Sequence, residues 1–477
     1  MTKSVSLLPS YNWLTEPELI FDPVNHDLTS IHPIKGLVEW GPYSKNIMSQ
    51  VFRPLRIAFI VANGQTQSAN QILGELKREA FPKERKNYLV PYPGFSNAFR
   101  VEVGAAKKGC HAELPSSLDD SISSSNSPHS VLADGLTGAL TKLSAMRDEF
   151  DIVIIVLPER WETAFRSTDG FDLHDYLKAV SATRGIPLQL ALENRLFKYR
   201  CRCSVMWRLS TALYCKAGGI PWKIAGTDTD TAFVGLSYAL RGNAEENRFV
   251  TCCSQVFDAD GTGLEFVAFD VDDIDFVERD NPFLARAEMR RVMSRTLALY
   301  QRRRAGATPK RLVVHKTTHF TTAEVDGCFD ACMAIDDVEL IQVQQDSSWR
   351  AAQVNAPTGG SKKGHPAQYP CKRGSFLQID GRATLLWTQG NVPMSGGKDF
   401  FKEGKGIPSP VLLQRWAGHG SFDRVCSEIL GLTKMNWNND GLYDRLPVTM
   451  SYASVLARTI CRMPNLDNRP YQFRFFM

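Results

Sequence analysis

His174 and Lys178 stand four residues apart, a spacing that stacks two side chains on one face of a helix. Gln189 follows eleven residues later, and Lys216 opens the run Lys216-Ala217-Gly218-Gly219, where a helix is expected to end. Two cations and an amide converging near helix termini would form an anion pocket able to hold a terminal phosphate through charge-assisted hydrogen bonds. The same His/Lys pair would serve equally well as a solvated helix face, so spacing alone leaves both readings open. Asp228 and Asp230, in GTDTDT, read by themselves as turn or strand-edge residues.

The elements that must position these side chains are legible as patterns. RIAFIVA (56–62) and DIVIIVLP (151–158) predict strands buried on both faces of a parallel sheet. FDLHDYLKAVSAT (171–183) is amphipathic, with Leu173, Leu177 and Val180 on one face, and it carries His174 and Lys178. IPLQLAL (186–192) predicts the strand that carries Gln189. The Ser-rich stretch from Pro115 to His129 predicts a mobile surface loop. Strand and helix alternate through this half, as in a doubly wound, Rossmann-like α/β unit. The second half differs: three strand-like segments from Ile224 to Val271 predict an antiparallel meander, with a turn at Gly242-Asn243. A helical stretch (282–304) and a buried strand, KRLVVHKTT (310–318), come next. Meander, helix, strand, helix, strand is the element order of an RNase H-like fold.

Composition narrows the class. The chain has 477 residues, 43% hydrophobic and 22% charged, which excludes collagenous, coiled-coil and wholly disordered proteins. No apolar run approaches the ~18–20 residues of a membrane span, and the N-terminus lacks the core of a secretory signal. Eleven Cys without repeated C-x-x-C spacing read as reduced thiols, so a cytoplasmic location is expected. P-loop, G-x-S-x-G and H-E-x-x-H motifs are absent from the sequence.

Net charge is only +5, but the distribution is uneven. Arg195 to Lys223 holds seven basic residues and no acid, interleaved with Phe197, Tyr199, Trp207, Tyr214 and Trp222. Arg290 to Arg311 holds eight, again without an acid, and Lys362, Lys363, Lys372 and Arg373 form a third group. Such stretches suit phosphate backbones and stacked bases, or else solvated helix faces. Asp258 to Asp280 is the acidic counterweight, read as a solvated edge or a contact for a basic partner.

With these residues in view, the sequence resembles the MID and PIWI domains of the Argonaute family. H-x-x-x-K, a Gln about a dozen residues on, and K-x-G-G after a long helix match the family's guide 5′-phosphate pocket in order, at His174, Lys178, Gln189 and Lys216. His174 stands where many members carry Tyr. KRGSFLQIDGRATLLWTQG and LTKMNWNNDGLYDRLPVTMSYASVLART resemble PIWI segments. About 50 residues precede the first MID-like strand, so the likeness is to short prokaryotic Argonautes, MID–PIWI chains lacking PAZ. The implied organisation is an N-terminal extension (1–50), a Rossmann-like MID domain (51–215) and an RNase H-like PIWI domain (216–477).

The resemblance also carries functional expectations. Cutting members hold two divalent ions with carboxylates, the first on the opening PIWI strand, where Asp228 or Asp230 is available. Where they show R-D-G, this chain reads His315-Lys316-Thr317-Thr318, and Ser454 stands at the last ligand position. An ammonium at a metal site repels the ions it should attract, so no catalytic residues and no nuclease activity are expected. The implied function is prokaryotic anti-phage or anti-plasmid defence. A guide, RNA by family likeness, pairs with a single-stranded DNA target, and pairing activates a separate NAD-consuming Sir2–APAZ or TIR–APAZ chain held as a heterodimer. Mg²⁺ shared between the guide phosphate and the terminal carboxylate of Met477 is a further implied feature, although the tail could instead fill a core groove. The alternatives are an active guide-directed nuclease and a non-guided nucleic-acid-binding scaffold.

Overall fold

Six consecutive apolar residues, Ile152 to Leu157, are buried along their whole length, as a strand covered on both faces requires. The computed structural model describes residues 11–477 other than 53, 84–88, 169–170, 229, 242–247, 259–260, 264, 272–273, 279–280, 346, 358–362, 394–398, 402–405, 439–440 and 463–469. The Gly242-Asn243 turn, Lys362 and much of the acidic stretch lie outside the described residues.

The first element among the described residues is a short strand, β1 (Tyr11–Trp13). The first α/β unit contains β2 (Leu55–Ala62), β3 (Val103–Ala105), β4 (Ala112–Leu114), β5 (Ile152–Leu157), helix α1 (Leu173–Thr183), β6 (Leu188–Leu192) and helix α2 (Arg202–Lys216). Its parallel sheet runs β3–β2–β5–β6, with β4 also on β2. The Rossmann-like expectation holds. The Ser-rich stretch is not a loop. It forms helices Ser117–Ser124 and Pro128–Ser144, because Leu118, Ile122 and Leu132 are drawn into the core. Meanwhile Ser121, Ser123 and Ser124 bond back to carbonyls four residues earlier.

The second unit contains β7 (Thr231–Arg241), β8 (Arg248–Asp258), β9 (Glu265–Val271), α3 (Arg286–Arg303), β10 (Arg311–Lys316), α4 (Thr322–Ala331), β11 (Asp337–Gln344), β12 (Ser375–Gln378), β13 (Ala383–Leu386), β14 (Val411–Ala417), α5 (Phe422–Leu432), α6 (Val448–Arg462) and β15 (Tyr471–Gln472). Its ten-stranded sheet runs β1–β12–β13–β14–β11–β10–β7–β8–β9–β15. The meander β7–β8–β9 is antiparallel, and β7, β10 and β11 are parallel, as an RNase H-like element order demands. Together the two halves form a MID–PIWI-type α/β architecture.

The N-terminal residues bind both units. β1 extends the large sheet by pairing with β12, while Ser44 bonds Tyr214 of α2. Glu16 anchors this strap. It accepts from Arg373 and Lys434, which hold its carboxyl below the usual range despite burial.

Candidate anion-binding site

Asp172 caps α1 by accepting from the Asp175 amide at 3.0 Å, which fixes where the helix begins and which way its next two turns face. His174 then points outward, its side chain 53% exposed, with Nδ1 3.9 Å from Asp175 Oδ1. Lys178, one turn on, is buried, and its Nζ donates to the Phe476 carbonyl at 2.8 Å. At the end of α2, Lys216 is also buried, and its Nζ donates to the Leu188 carbonyl at 2.6 Å and to Gln189 Oε1 at 2.7 Å. Gln189 donates in turn to the Leu190 carbonyl at 2.9 Å.

The structure therefore joins Lys216 and Gln189 directly, ties Lys178 to the C-terminal tail, and leaves His174 at the rim. Both of these acceptors are neutral oxygens. Burial, with the Lys178 charge adding, pulls its pKa down to about 7. Two ammonium groups thus stand within each other's field inside the protein.

A cavity of about 560 Å³ opens beside it, lined by Asp172, His174, Gln189, Arg195, Arg208 and Asn438 among others. A second cavity of about 450 Å³ shares Arg195 and Arg208 with it and adds Lys198 and Tyr199. His174 and Gln189 line the first cavity, and Lys216 reaches it through its bond to Gln189. Arg195 and Arg208 were visible in the sequence only as members of a basic stretch. The interleaved aromatics are not a stacking surface as a group: Trp207, Tyr214 and Trp222 are core residues, and Tyr199 is the exposed one.

The tail does two things at once. Met477 is 5% exposed and packs into the main apolar cluster, while the preceding carbonyl holds Lys178. Asp172, His174 and Asp175 also place ligand atoms within 4.8 Å of one another at the rim. Asp172 is engaged as the helix cap, and Asp175 accepts from Thr459 at 3.3 Å.

Register corrects the carboxylate reading in the second unit. Lys316 pairs with Leu236 across β10 and β7. Asp228 and Asp230 precede Thr231 at the opposite end of β7, and five strand steps alone are about 16 Å. They cannot share an ion with a group at Lys316. Asp228 is exposed and paired with Arg424, and Asp230 is paired with Lys310. Lys316 also points away from any such site. It is buried against both Glu324 oxygens, at 2.6 and 2.7 Å, with the Tyr238, Phe283 and Phe320 rings at 4.9, 4.7 and 5.2 Å. Side-chain alternation instead puts His315 and Ser237, neighbours of Lys316 and Leu236 along their strands, on the face covered by α6, where His315 bonds Thr449. Ser454 on α6 is exposed and donates to the Met450 carbonyl at 3.2 Å.

No protein-family profile matches the sequence, and no curated protein matches it. Solved structures do. Clostridium butyricum Argonaute, bound to a guide DNA (5′ deoxycytidine) and a 19-mer target DNA, superposes with a TM-score of 0.65 at 17% identity, over 98% of this chain and 55% of that one. Aa-Ago with externally bound siRNA gives 0.60 at 16% identity over 98% and 56%, and Aquifex aeolicus Argonaute gives 0.58 at 15% over 98% and 57%. The chain thus spans little more than half the length of these structures. No helix among the described residues is long and apolar enough to cross a membrane.

Proposed function

We propose that this chain, with an Argonaute-type fold at about half the length of its structural neighbours, binds a 5′-phosphorylated guide and uses it to recognise a nucleic-acid target. The observation that carries the reading is the buried Lys178–Lys216 pair, held by carbonyl oxygens beside a cavity lined by His174, Gln189, Arg195 and Arg208. A guide phosphate would accept charge-assisted hydrogen bonds from such a group of cations and amides. Mg²⁺ fits there only together with the phosphate. The Met477 carboxylate is a hard oxygen donor, one residue beyond the carbonyl that holds Lys178, but two ammonium groups repel a dication until an anion has entered. Once bound, the ion would screen the phosphate and the terminal carboxylate from each other.

The second unit recognises the paired duplex and does not cut it. Lys316 is committed to Glu324, and the neighbouring strand positions on the α6-covered face are His315 and Ser237, neither a carboxylate. The guide is RNA and the target single-stranded DNA, an assignment that rests on the resemblance to short prokaryotic Argonautes. On the same basis the consequence of pairing is delivered by a separate Sir2–APAZ or TIR–APAZ chain that consumes NAD in anti-phage or anti-plasmid defence in the cytoplasm. The test is affinity for otherwise identical 5′-phosphorylated and 5′-hydroxyl guides. A strong preference for the phosphate is expected, and equal affinity would reduce the chain to a non-guided scaffold. Reconstitution with the effector chain should give NAD loss only when guide and matched target are both present.

A further inference from the structure

The large sheet ends at β1. One side of β1 pairs with β12, and among the described residues no strand pairs with its outer side. Backbone N–H and C=O groups along such an edge are a template for another strand.

The two faces of this end of the sheet differ. On one face, Phe376, Leu386, Val411 and Leu413 share a cluster with Phe422 and Ile429 of α5. Register defines the other. Tyr11 stands level with Leu377, Leu377 with Leu385, and Leu385 with Leu412, an apolar row across four strands. Trp13, level with Ser375, lies beside this row and is held by an indole N–H bond to the Arg373 carbonyl at 2.8 Å. The Ile379 amide still donates to Ala383 at 2.9 Å, so alternation puts its side chain on the same face, two residues beyond Leu377. Leu385 is buried in a small cluster with Cys371, Trp387 and Ala351. Nearer the edge the cover runs out: Tyr11 is 62% exposed, Ile379 45% and Trp13 40%. Apolar side chains exposed together beside an open strand edge suit a protein contact.

The rim of this surface is basic. Lys372 Nζ sits over the Trp13 ring at 4.5 Å, Arg382 is exposed in the turn from β12 to β13, and Arg350 is exposed next to Ala351. Asp380, in the same turn, accepts from the Arg382 amide. A second copy of this chain would set the same cations against each other across a two-fold contact. A nucleic acid would match the cations but leave the strand edge and the aliphatic row unused. An acidic polypeptide segment uses all three.

We propose that β1 takes an extended, acidic segment of a partner protein as a further strand of the sheet. Its alternate apolar side chains lie beside Tyr11 and Trp13, and its carboxylates reach Lys372 and Arg382. This goes beyond the guide reading, because it needs neither guide nor target.

The test uses the full chain without guide, and a short fluorescent peptide of alternating Val and Glu as probe. Anisotropy should show that this peptide binds. A Val–Lys peptide, and a Val–Glu peptide N-methylated at every residue, should bind about tenfold more weakly or worse, and Tyr11→Ser with Ile379→Ser should lose a similar factor. Lys372→Glu with Arg382→Glu should reverse the order of the Glu and Lys peptides, a change that misfolding cannot imitate. Affinity for a 5′-phosphorylated guide should hold in these variants, since none of the four residues lines either cavity of the first site. Failure of the Val–Glu peptide to bind, equal binding by the parent and Tyr11→Ser with Ile379→Ser, or an unreversed order in the charge-swapped variant overturns the proposal. So do the signatures of other occupants. Dimerisation in sedimentation that Tyr11→Ser abolishes would give the surface to a second copy, and oligothymidylate binding lost in the same variant would give it to nucleic acid. Peptide binding seen only after deletion of residues 1–10 would give it to that segment.

Discussion

Replacing Lys216 with Met removes one ammonium while keeping most of its apolar stem, so packing at the end of α2 is largely retained. In the parent, that ammonium is buried and bonded to the Leu188 carbonyl and Gln189 Oε1. Two unit charges about 4 Å apart attract by roughly 4 kcal/mol at an effective dielectric near 20. Desolvation and the lost carbonyl contacts offset part of this, leaving about 1–3 kcal/mol, the scale of a charge-assisted bond. Affinity for a 5′-phosphorylated guide should therefore drop about 5- to 150-fold, with much less change for a 5′-hydroxyl guide. The parent should also be pH-dependent. Free Lys216 titrates at about 7, and a bound phosphate favours its ammonium form, so binding takes up a proton. Affinity is then full below about pH 7 and declines as pH rises through the window above it, by at most about tenfold per unit. Fluorescence anisotropy with both guides between about pH 6 and about pH 9 measures both effects. Equal losses for the two guides, or a phosphate preference in Lys216→Met that keeps the parental pH profile, would refute the reasoning.

The remaining outcomes follow from the same geometry. Purified chain with guide and matched target should give no site-specific cut in Mg²⁺ or Mn²⁺, and Asp228→Ala should leave target binding intact, because Asp228 is exposed and its carboxylate is engaged by Arg424 and the Asp230 amide; guided cleavage abolished by that substitution would reinstate a nuclease. Lys316→Asp should not create cutting, and by setting a second buried carboxylate against Glu324 it should destabilise the fold by about 3–5 kcal/mol, read as a lower melting temperature. Residues appended after Met477 should weaken 5′-phosphorylated guide binding, since Met477 is buried and its neighbour holds Lys178; a normally folded fusion with unchanged guide affinity would show that the tail only fills the core.

What the sequence determined by itself was periodicity and local order. Short unbroken apolar runs rich in Ile and Val fit strands buried on both faces, so β2 and β5 were legible. The 3.6-residue apolar spacing of 171–183 gave α1, and with it the neighbourhood of His174 and Lys178. Serine content misled at 117–124, because composition does not reveal that Leu118 and Ile122 find a core to enter. The phosphate-site residues were named from spacing and resemblance, but their roles were tertiary. Only the packing of the tail against α1 turns Lys178 towards Phe476, and only the end of α2 meeting β6 brings Lys216 to Gln189. Strand register lies still further from the sequence. Asp228 looked close to a catalytic position along the chain, yet the parallel pairing of β7 with β10 sets it at the opposite end of the sheet from Lys316. Side-chain alternation then turns Lys316 to the face opposite His315 and Ser237. The physical reason is that local periodicity is written in neighbouring residues, whereas register and the meeting of distant termini are fixed by which surfaces bury each other.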